Sequence, residues 1–350
     1  MKAVIIQKPG EIRMVELPKP VPGPGDVVSR VVYSGICGTD LAILKGDVSF
    51  VKDGTAEYPV KIGHEWSGVV ESVGPGVARF KPGDRVVSDN GVSCGVCERC
   101  LAGDFYRCGS GRSLGTINTW DYGSFAEYIL MPERHMFHLD DSISFEQGAL
   151  IEPSTIGLAG LLAVNAGKGD AVLVTGTGAV GLSAAAMAKS LGAAKVIVAG
   201  RKQSKLDIGL KIGADAAVNM AEEDMARAVL RETGGRGVNK IIEASGAAGV
   251  LDKALDCAGH GCEAALLGFY EGHFGGGFNI DRIVLKNLVI KGVTGNPCVP
   301  RVMGLMAGGA IDLAPLVTHI FPIEKSAEAF TEAAEKGGGK IKMLVKMTSG

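Results

Sequence analysis

Cys94, Cys97, Cys100 and Cys108 follow the spacing C-x2-C-x2-C-x7-C. Each two-residue gap turns the backbone back on itself, so the four thiols can converge on one tetrahedral Zn²⁺. Half of the chain's 8 cysteines fall in this short stretch, and chance clustering explains that poorly. A disulfide-bonded loop and a set of core thiols are the competing accounts. A closed four-thiolate site has no open coordination position, so it would stabilise a lobe, about residues 88–115, and do no chemistry.

A chain of 350 residues exceeds the usual size of one hydrophobic core, which makes two domains the expectation. Hydrophobic residues at 46% and charged ones at 21% describe a globular chain rather than a disordered one. A formal net charge of −2 gives no electrostatic reason to expect nucleic acid or an anionic membrane as partner. The apolar run Met1–Gln7 stops at Lys8-Pro9-Gly10 and lacks the features of a signal peptide. The stretch Gly157–Ala166 is too short and glycine-rich to span a bilayer. Thiols used as metal ligands fit a reducing compartment. The expectation is a cytoplasmic protein.

The first 150 or so residues alternate short β-branched runs (Val27-Val28, Val69-Val70, Val86-Val87) with turn signals such as Pro22-Gly23-Pro24-Gly25 and Pro82-Gly83-Asp84. That pattern suggests an irregular barrel or sandwich. After Pro153 the pattern changes. Ala171–Thr175 is a continuous apolar strand, Val180, Ala184, Met187 and Leu191 recur at helical spacing, and Lys195–Ala199 is the next strand. Strands alternating with helices indicate an α/β unit with a doubly wound parallel sheet. From about Gly295 the periodicity is mixed, and Ile341–Val345 looks like a closing strand. The expected organisation is a β-rich domain, 1–152 and 296–350, interrupted by an α/β insertion, 153–295.

Gly176-Thr177-Gly178-Ala179-Val180-Gly181 fits G-x-G-x-x-G between an expected strand and an expected helix. Gly176 would permit the tight turn, Gly178 the approach of a pyrophosphate, and Gly181 close helix–strand packing. Glycines serving packing alone are the competing account. Nicotinamide cofactor choice is read where the second strand ends, at Ala199-Gly200-Arg201-Lys202. No carboxylate is there to accept from a ribose 2′-OH. Room at Gly200 and two cations suit a 2′-phosphate, so NADP is favoured over NAD. A solvated loop, or Arg201 stacking on adenine with NAD in use, stays open.

A second group could bind a reactive metal: Cys37, the pair His64-Glu65, and Glu152 before Pro153. A thiolate, an imidazole and a carboxylate leave a fourth position open. Taken singly, these residues read as a core thiol, a satisfied buried histidine and a helix-cap carboxylate. Spacing does not join them.

A resemblance does. Gly35-Ile36-Cys37-Gly38-Thr39-Asp40, Gly63-His64-Glu65-x-x-Gly68, the four-cysteine run, Gly123–Tyr128, Glu152-Pro153 and the glycine loop together resemble the zinc-dependent medium-chain alcohol dehydrogenases. The resemblance runs from Met1 to about Val345 and is strongest to the branch of sorbitol (polyol) and threonine dehydrogenases. It implies a GroES-like catalytic domain with an inserted Rossmann domain, and one catalytic and one structural zinc per subunit. It also implies catalytic ligands at Cys37, His64 and Glu152, with Glu65 as an alternating ligand, Thr39 as proton relay, and a homo-oligomer, tetramer or dimer.

One departure stands out. The family motif commonly carries a relay histidine where this chain has Ala42, and no histidine lies in Ser88–Val92. Both weaken a threonine-specific expectation and leave polyol, inositol-like or amino-sugar substrates open. The expected chemistry is reversible oxidation of a secondary alcohol to a ketone. L-Threonine 3-dehydrogenase-type oxidation and a catalytically idle nucleotide-binding relative are the alternatives. A zinc-ribbon nucleic-acid binder fits less well, since Glu98, Arg99, Asp104 and Arg107 balance within the lobe. Phe50, Tyr58, Trp66 and Trp120 read as core aromatics before substrate contacts.

Overall fold

A computed structural model describes all residues except 55–56, 117–122, 248, 271–278, 295–297, 336 and 349–350. Trp120 therefore lies outside the described residues. Backbone contacts divide the chain into two units, Met1–Glu152 with Val317–Gly350, and Pro153–Leu316. The return to the first unit comes at Val317, later than the 296 expected from sequence. Helix Val299–Ala307, which buries Val299, Val302 and Met306, stays with the second unit. Strand–helix alternation runs one helix further than the loss of periodicity suggested.

The first unit is built on strand Asp26–Gly35, whose β-branched residues Val27, Val28 and Val31 are fully buried. This strand pairs antiparallel with Glu65–Val73, Tyr128–Pro132 and Lys342–Lys346. Among the described residues the sheet has seven strands, and a separate three-stranded sheet is formed by Lys2–Lys8, Glu11–Glu16 and Val60–Lys61. Val4, Ile6, Val31, Ile62, Trp66, Phe125 and Phe330 share one core. Trp66 is buried and donates its indole N–H to Ser88 Oγ at 2.7 Å, which makes it a core residue. Register places Gly35 opposite both Glu65 and Leu344. Cys37 follows as the N-cap of helix Gly38–Lys45.

The second unit is a six-stranded parallel sheet in the spatial order Ala216–Asn219, Lys195–Gly200, Ala171–Thr175, Val238–Glu243, Ala258–Leu266, Val289–Gly292. Numbered along the chain this is 3-2-1-4-5-6, the doubly wound Rossmann order, with its switch point between Ala171–Thr175 and Val238–Glu243. Every adjacent pair is parallel. Helix Ala179–Ser190 follows the first strand and begins at Gly178.

The three loop glycines differ in what surrounds them. Gly176 adopts φ +97°, and a Cβ there would lie 2.8 Å from the Ala244 carbonyl carbon. A Cβ on Gly181 would overlap the Gly176 carbonyl oxygen, whereas one on Gly178 would meet nothing within 4 Å. Gly181→Ala should therefore cost about 1–3 kcal/mol of stability through overpacking. Gly178→Ala, at φ −88°, should cost less than about 1 kcal/mol. Urea unfolding checks the pair, and equal losses would contradict this picture of the turn.

Candidate functional site

The four-cysteine lobe forms as spaced. Cys94, Cys97, Cys100 and Cys108 place their sulfurs within 4.8 Å of one another. The Cys97–Cys100 separation is 3.5 Å, and Cys94–Cys100 and Cys97–Cys108 are each 3.9 Å. A tetrahedron with Zn–S bonds of about 2.3 Å has edges of about 3.8 Å, so the donor set already has the size that zinc requires. Backbone N–H groups of Val96 and Cys97 hold the Cys94 thiol down to about 6. The lobe is anchored by a buried chain of polar groups. His135 Nδ1 lies 2.9 Å from Asp89 Oδ1, His135 Nε2 accepts from the Ser93 backbone N–H at 3.0 Å, and Arg134 Nε donates to Ser93 Oγ at 2.9 Å.

The second cluster comes from two separate segments. Cys37 caps a helix, Glu65 opens strand Glu65–Val73 with His64 just before it, and one ligand atom from each lies within 4.8 Å of the others. Glu65 Oε2 is ion-paired with the buried Lys342 Nζ, which also donates to the Ile36 carbonyl at 3.1 Å. Glu152 stands outside this group of three. Its buried carboxylate accepts from Asn90 Nδ2 at 2.8 Å, in the first turn of helix Ile151–Ala163. Thr39 Oγ1 is 3.7 Å from Cys37 Sγ.

Electrostatics and unmet polar atoms both fit a cation at this cluster. Burial pushes Asp40 up to about 6 and Glu152 up to about 7, each partly offset by the charge of His64. Burial alone would lower the His64 imidazole, but the Cys37 thiolate and nearby carboxylates outweigh it and hold it well above its ordinary value. His64 and Glu152 thus bind their protons more tightly than free groups do, and a divalent metal would compete with those protons. His64 Nδ1 and Asp40 Oδ1 face each other at 3.9 Å, and both are buried without a hydrogen-bond partner. A carboxylate behind one imidazole nitrogen leaves the other for a metal and fixes the ring.

In the second unit the glycine loop turns from strand Ala171–Thr175 into helix Ala179–Ser190, and one expectation is corrected. Gly200 is not open room: a Cβ there would lie 2.7 Å from Thr177 Cγ2, so the loop's own threonine fills that space. Arg201 and Lys202 are exposed beyond the strand end. Ala179 and Val180 form the first turn of the helix behind Gly178. Two residues escaped the motifs altogether, Lys342 and, as a partner of Glu152, Asn90. No local pattern marks either, because each acquires its role only from a contact distant in sequence. A hydrogen-bond rule for buried carboxylates would have demanded such partners without naming them.

Comparison with known proteins agrees with both halves of this picture. Residues 23–141 match the model of the alcohol dehydrogenase GroES-like domain, and residues 179–307 that of the zinc-binding dehydrogenases. L-Threonine 3-dehydrogenase of Saccharopolyspora erythraea is 33% identical over 97% of this chain and 98% of its own. A Sinorhizobium meliloti protein described as a zinc-binding dehydrogenase, solved with NADP, superposes with a TM-score of 0.89 at 29% identity, covering 99% of this chain and 98% of that one. The 2R,3R-butanediol dehydrogenase of Bacillus subtilis superposes with a TM-score of 0.87 at 28% identity, over 99% of each chain. Fold, metal-ligand clusters and relatives agree, and the chain belongs to the zinc-dependent medium-chain alcohol dehydrogenases, oxidoreductases that act on CH–OH groups with a nicotinamide cofactor.

Proposed function

We propose that the protein reversibly oxidises a secondary alcohol of a small polyol or sugar-like substrate to a ketone. One observation carries the reading: the Cys37 thiol meets the imidazole of His64 and the carboxylate of Glu65, from a segment distant in sequence, at one largely buried point. Cys37, His64 and Glu152 would hold a catalytic zinc with Glu65 as alternate ligand, and Cys94, Cys97, Cys100 and Cys108 a structural one, one of each per subunit. When bound, zinc supplies Lewis acidity at the alcohol oxygen, and the nicotinamide ring accepts the hydride. Thr39, half-buried beside Cys37, takes the hydroxyl proton and passes it outward. Ala42 cannot continue that relay, so water completes it. Lys342 holds Glu65 to one side by its ion pair, and Asn90 orients Glu152.

Oxidation of L-threonine is the second reading, supported by what the S. erythraea relative is named for. Ala42 and the lack of histidine in Ser88–Val92 favour the polyol. Arg201 and Lys202, with no carboxylate at the strand end, support NADP over NAD. A homo-oligomer, dimer or tetramer, is supported by the exposed apolar side chains of Ile280, Val284, Leu285 and Val289 beside the edge strand Val289–Gly292. Free cysteines throughout the chain support the reducing cytoplasm. No described helix is long and apolar enough to cross a membrane.

Three measurements test these assignments. Steady-state turnover across polyols, inositols, amino alcohols and simple secondary alcohols, each with both nicotinamide cofactors, should favour a polyol with NADP. Turnover of L-threonine alone would install the second reading. Cys37→Ser should remove one of the two zinc atoms and lower turnover at least about 100-fold, and unchanged metal content would contradict the ligand assignment. Arg201→Ala should raise KM for NADP about tenfold and leave that for NAD within about twofold. Equal effects on both cofactors would assign Arg201 to the adenine instead.

A further inference from the structure

Glu243 ends the fourth strand of the parallel sheet and is fully buried. Five donors converge on its carboxylate. Thr175 Oγ1 at 3.3 Å, the Ser245 backbone N–H at 2.9 Å and the Ser245 hydroxyl reach Oε1. The Gly246 N–H at 3.2 Å and the Tyr270 hydroxyl at 2.5 Å reach Oε2. These donors come from three strand ends, those of the first, fourth and fifth strands. The Glu243 backbone carbonyl extends the link, accepting from Leu267 N–H at 2.8 Å and Gly268 N–H at 3.3 Å.

The three loops approach one another closely. Ala244 N–H donates to the Thr175 carbonyl at 2.9 Å, and a Cβ on Gly176 would lie 2.8 Å from Ser245 N. A Cβ on Gly246 would overlap the Phe269 carbonyl oxygen, and one on Gly268 would overlap Gly246. The buried carboxylate thus anchors all three strand ends, and nothing in the zinc chemistry uses it. In a 3-2-1-4-5-6 sheet the two mononucleotide halves lie on opposite sides of the switch point, outside the carboxyl ends of the strands. The second strand's end, with Arg201 and Lys202, lies on the adenosine side. The ends of the fourth and fifth strands then face the other nucleotide.

We infer that Glu243 is a positioning residue for the nicotinamide half of the dinucleotide, tying the loops Ala244–Gly246 and Leu267–Tyr270 into the surface against which that half rests. The inference rests on the dinucleotide reading of the glycine loop. A glutamine here would keep the volume but, whichever way round it sits, turn its amide N–H₂ toward a backbone N–H, that of Ser245 or of Gly246, which can only donate, so the loops must spread to accommodate it.

Equilibrium titration of the full-length, zinc-loaded protein tests this with two ligands, the dinucleotide and its fragment lacking the nicotinamide ring. These are NADPH with 2′-phospho-ADP-ribose, and NADH with ADP-ribose, the tighter pair being compared. Glu243→Gln should weaken the dinucleotide about tenfold or more and leave the fragment within about twofold. Tyr270→Phe removes a single donor and should weaken the dinucleotide alone, by about two- to fivefold. Equal weakening of dinucleotide and fragment would mark a general structural role and overturn the inference. Dinucleotide binding unchanged in Tyr270→Phe would do the same if Glu243→Gln did not fold. If the parent protein bound neither ligand, the dinucleotide reading itself would fall, and the inference with it.

Discussion

Everything at the metal cluster depends on the register of one antiparallel strand. Asp26–Gly35 is paired on its last residues with Glu65 and Trp66 of one neighbour and with Leu344 and Val345 of another. A Cβ at Gly35 would collide with the Glu65 carboxylate and crowd Lys342 Cδ at 3.3 Å. Glycine at this place lets Glu65 and Lys342 meet across the strand end, with Cys37 just beyond. A slip of one residue would turn each side chain to the opposite face and break up the cluster. Backbone hydrogen bonds, summed over three strand pairs, thus fix what a few polar side chains could not fix alone.

The two candidate metal sites pose opposite problems. In the lobe, short spacing does the work: four thiols within one loop already match a tetrahedron's edges, and the Asp89–His135–Ser93 chain ties that loop to the sheet. In the reactive cluster the donors are distant in sequence and unlike one another, and two carboxylates are available. Each is held by its own partner, Glu65 by Lys342 and Glu152 by Asn90. Asn90 sits in the same short segment as Asp89 and Ser93, so the loop that leads into the lobe also carries the group that orients Glu152. The second unit repeats the device, with Glu243 held by five donors. Glu65, Glu152 and Glu243 are each set by hydrogen bonds, as burial of a carboxylate requires.

Sequence conveyed the parts that local spacing determines. The cysteine run, the glycine loop and the alternation of strand and helix could be read directly, because each is governed by neighbours within a turn or two. The resemblance supplied Cys37, His64, Glu65 and Glu152 as a set, which spacing alone could not join. Lys342 was hidden because its partner lies on a strand paired only in the folded sheet, and the two cations at Lys340 and Lys342 look alike in sequence. Gly200 was misread as open because Thr177 reaches it across the turn. The return at Val317 was missed because helix Val299–Ala307 has no strand after it in its own unit to continue the alternation.

The central claim is that one chain builds both a closed thiolate site and an open mixed-donor site for zinc. Anomalous X-ray scattering at the zinc edge, from crystals of the purified protein, tests it most directly. The account predicts two peaks per chain, one ringed by the sulfurs of Cys94, Cys97, Cys100 and Cys108. The other should touch Cys37 Sγ, a nitrogen of His64 and a carboxylate oxygen. A single peak at the cysteine lobe, with the Cys37–His64 cluster empty in an active preparation, would contradict it.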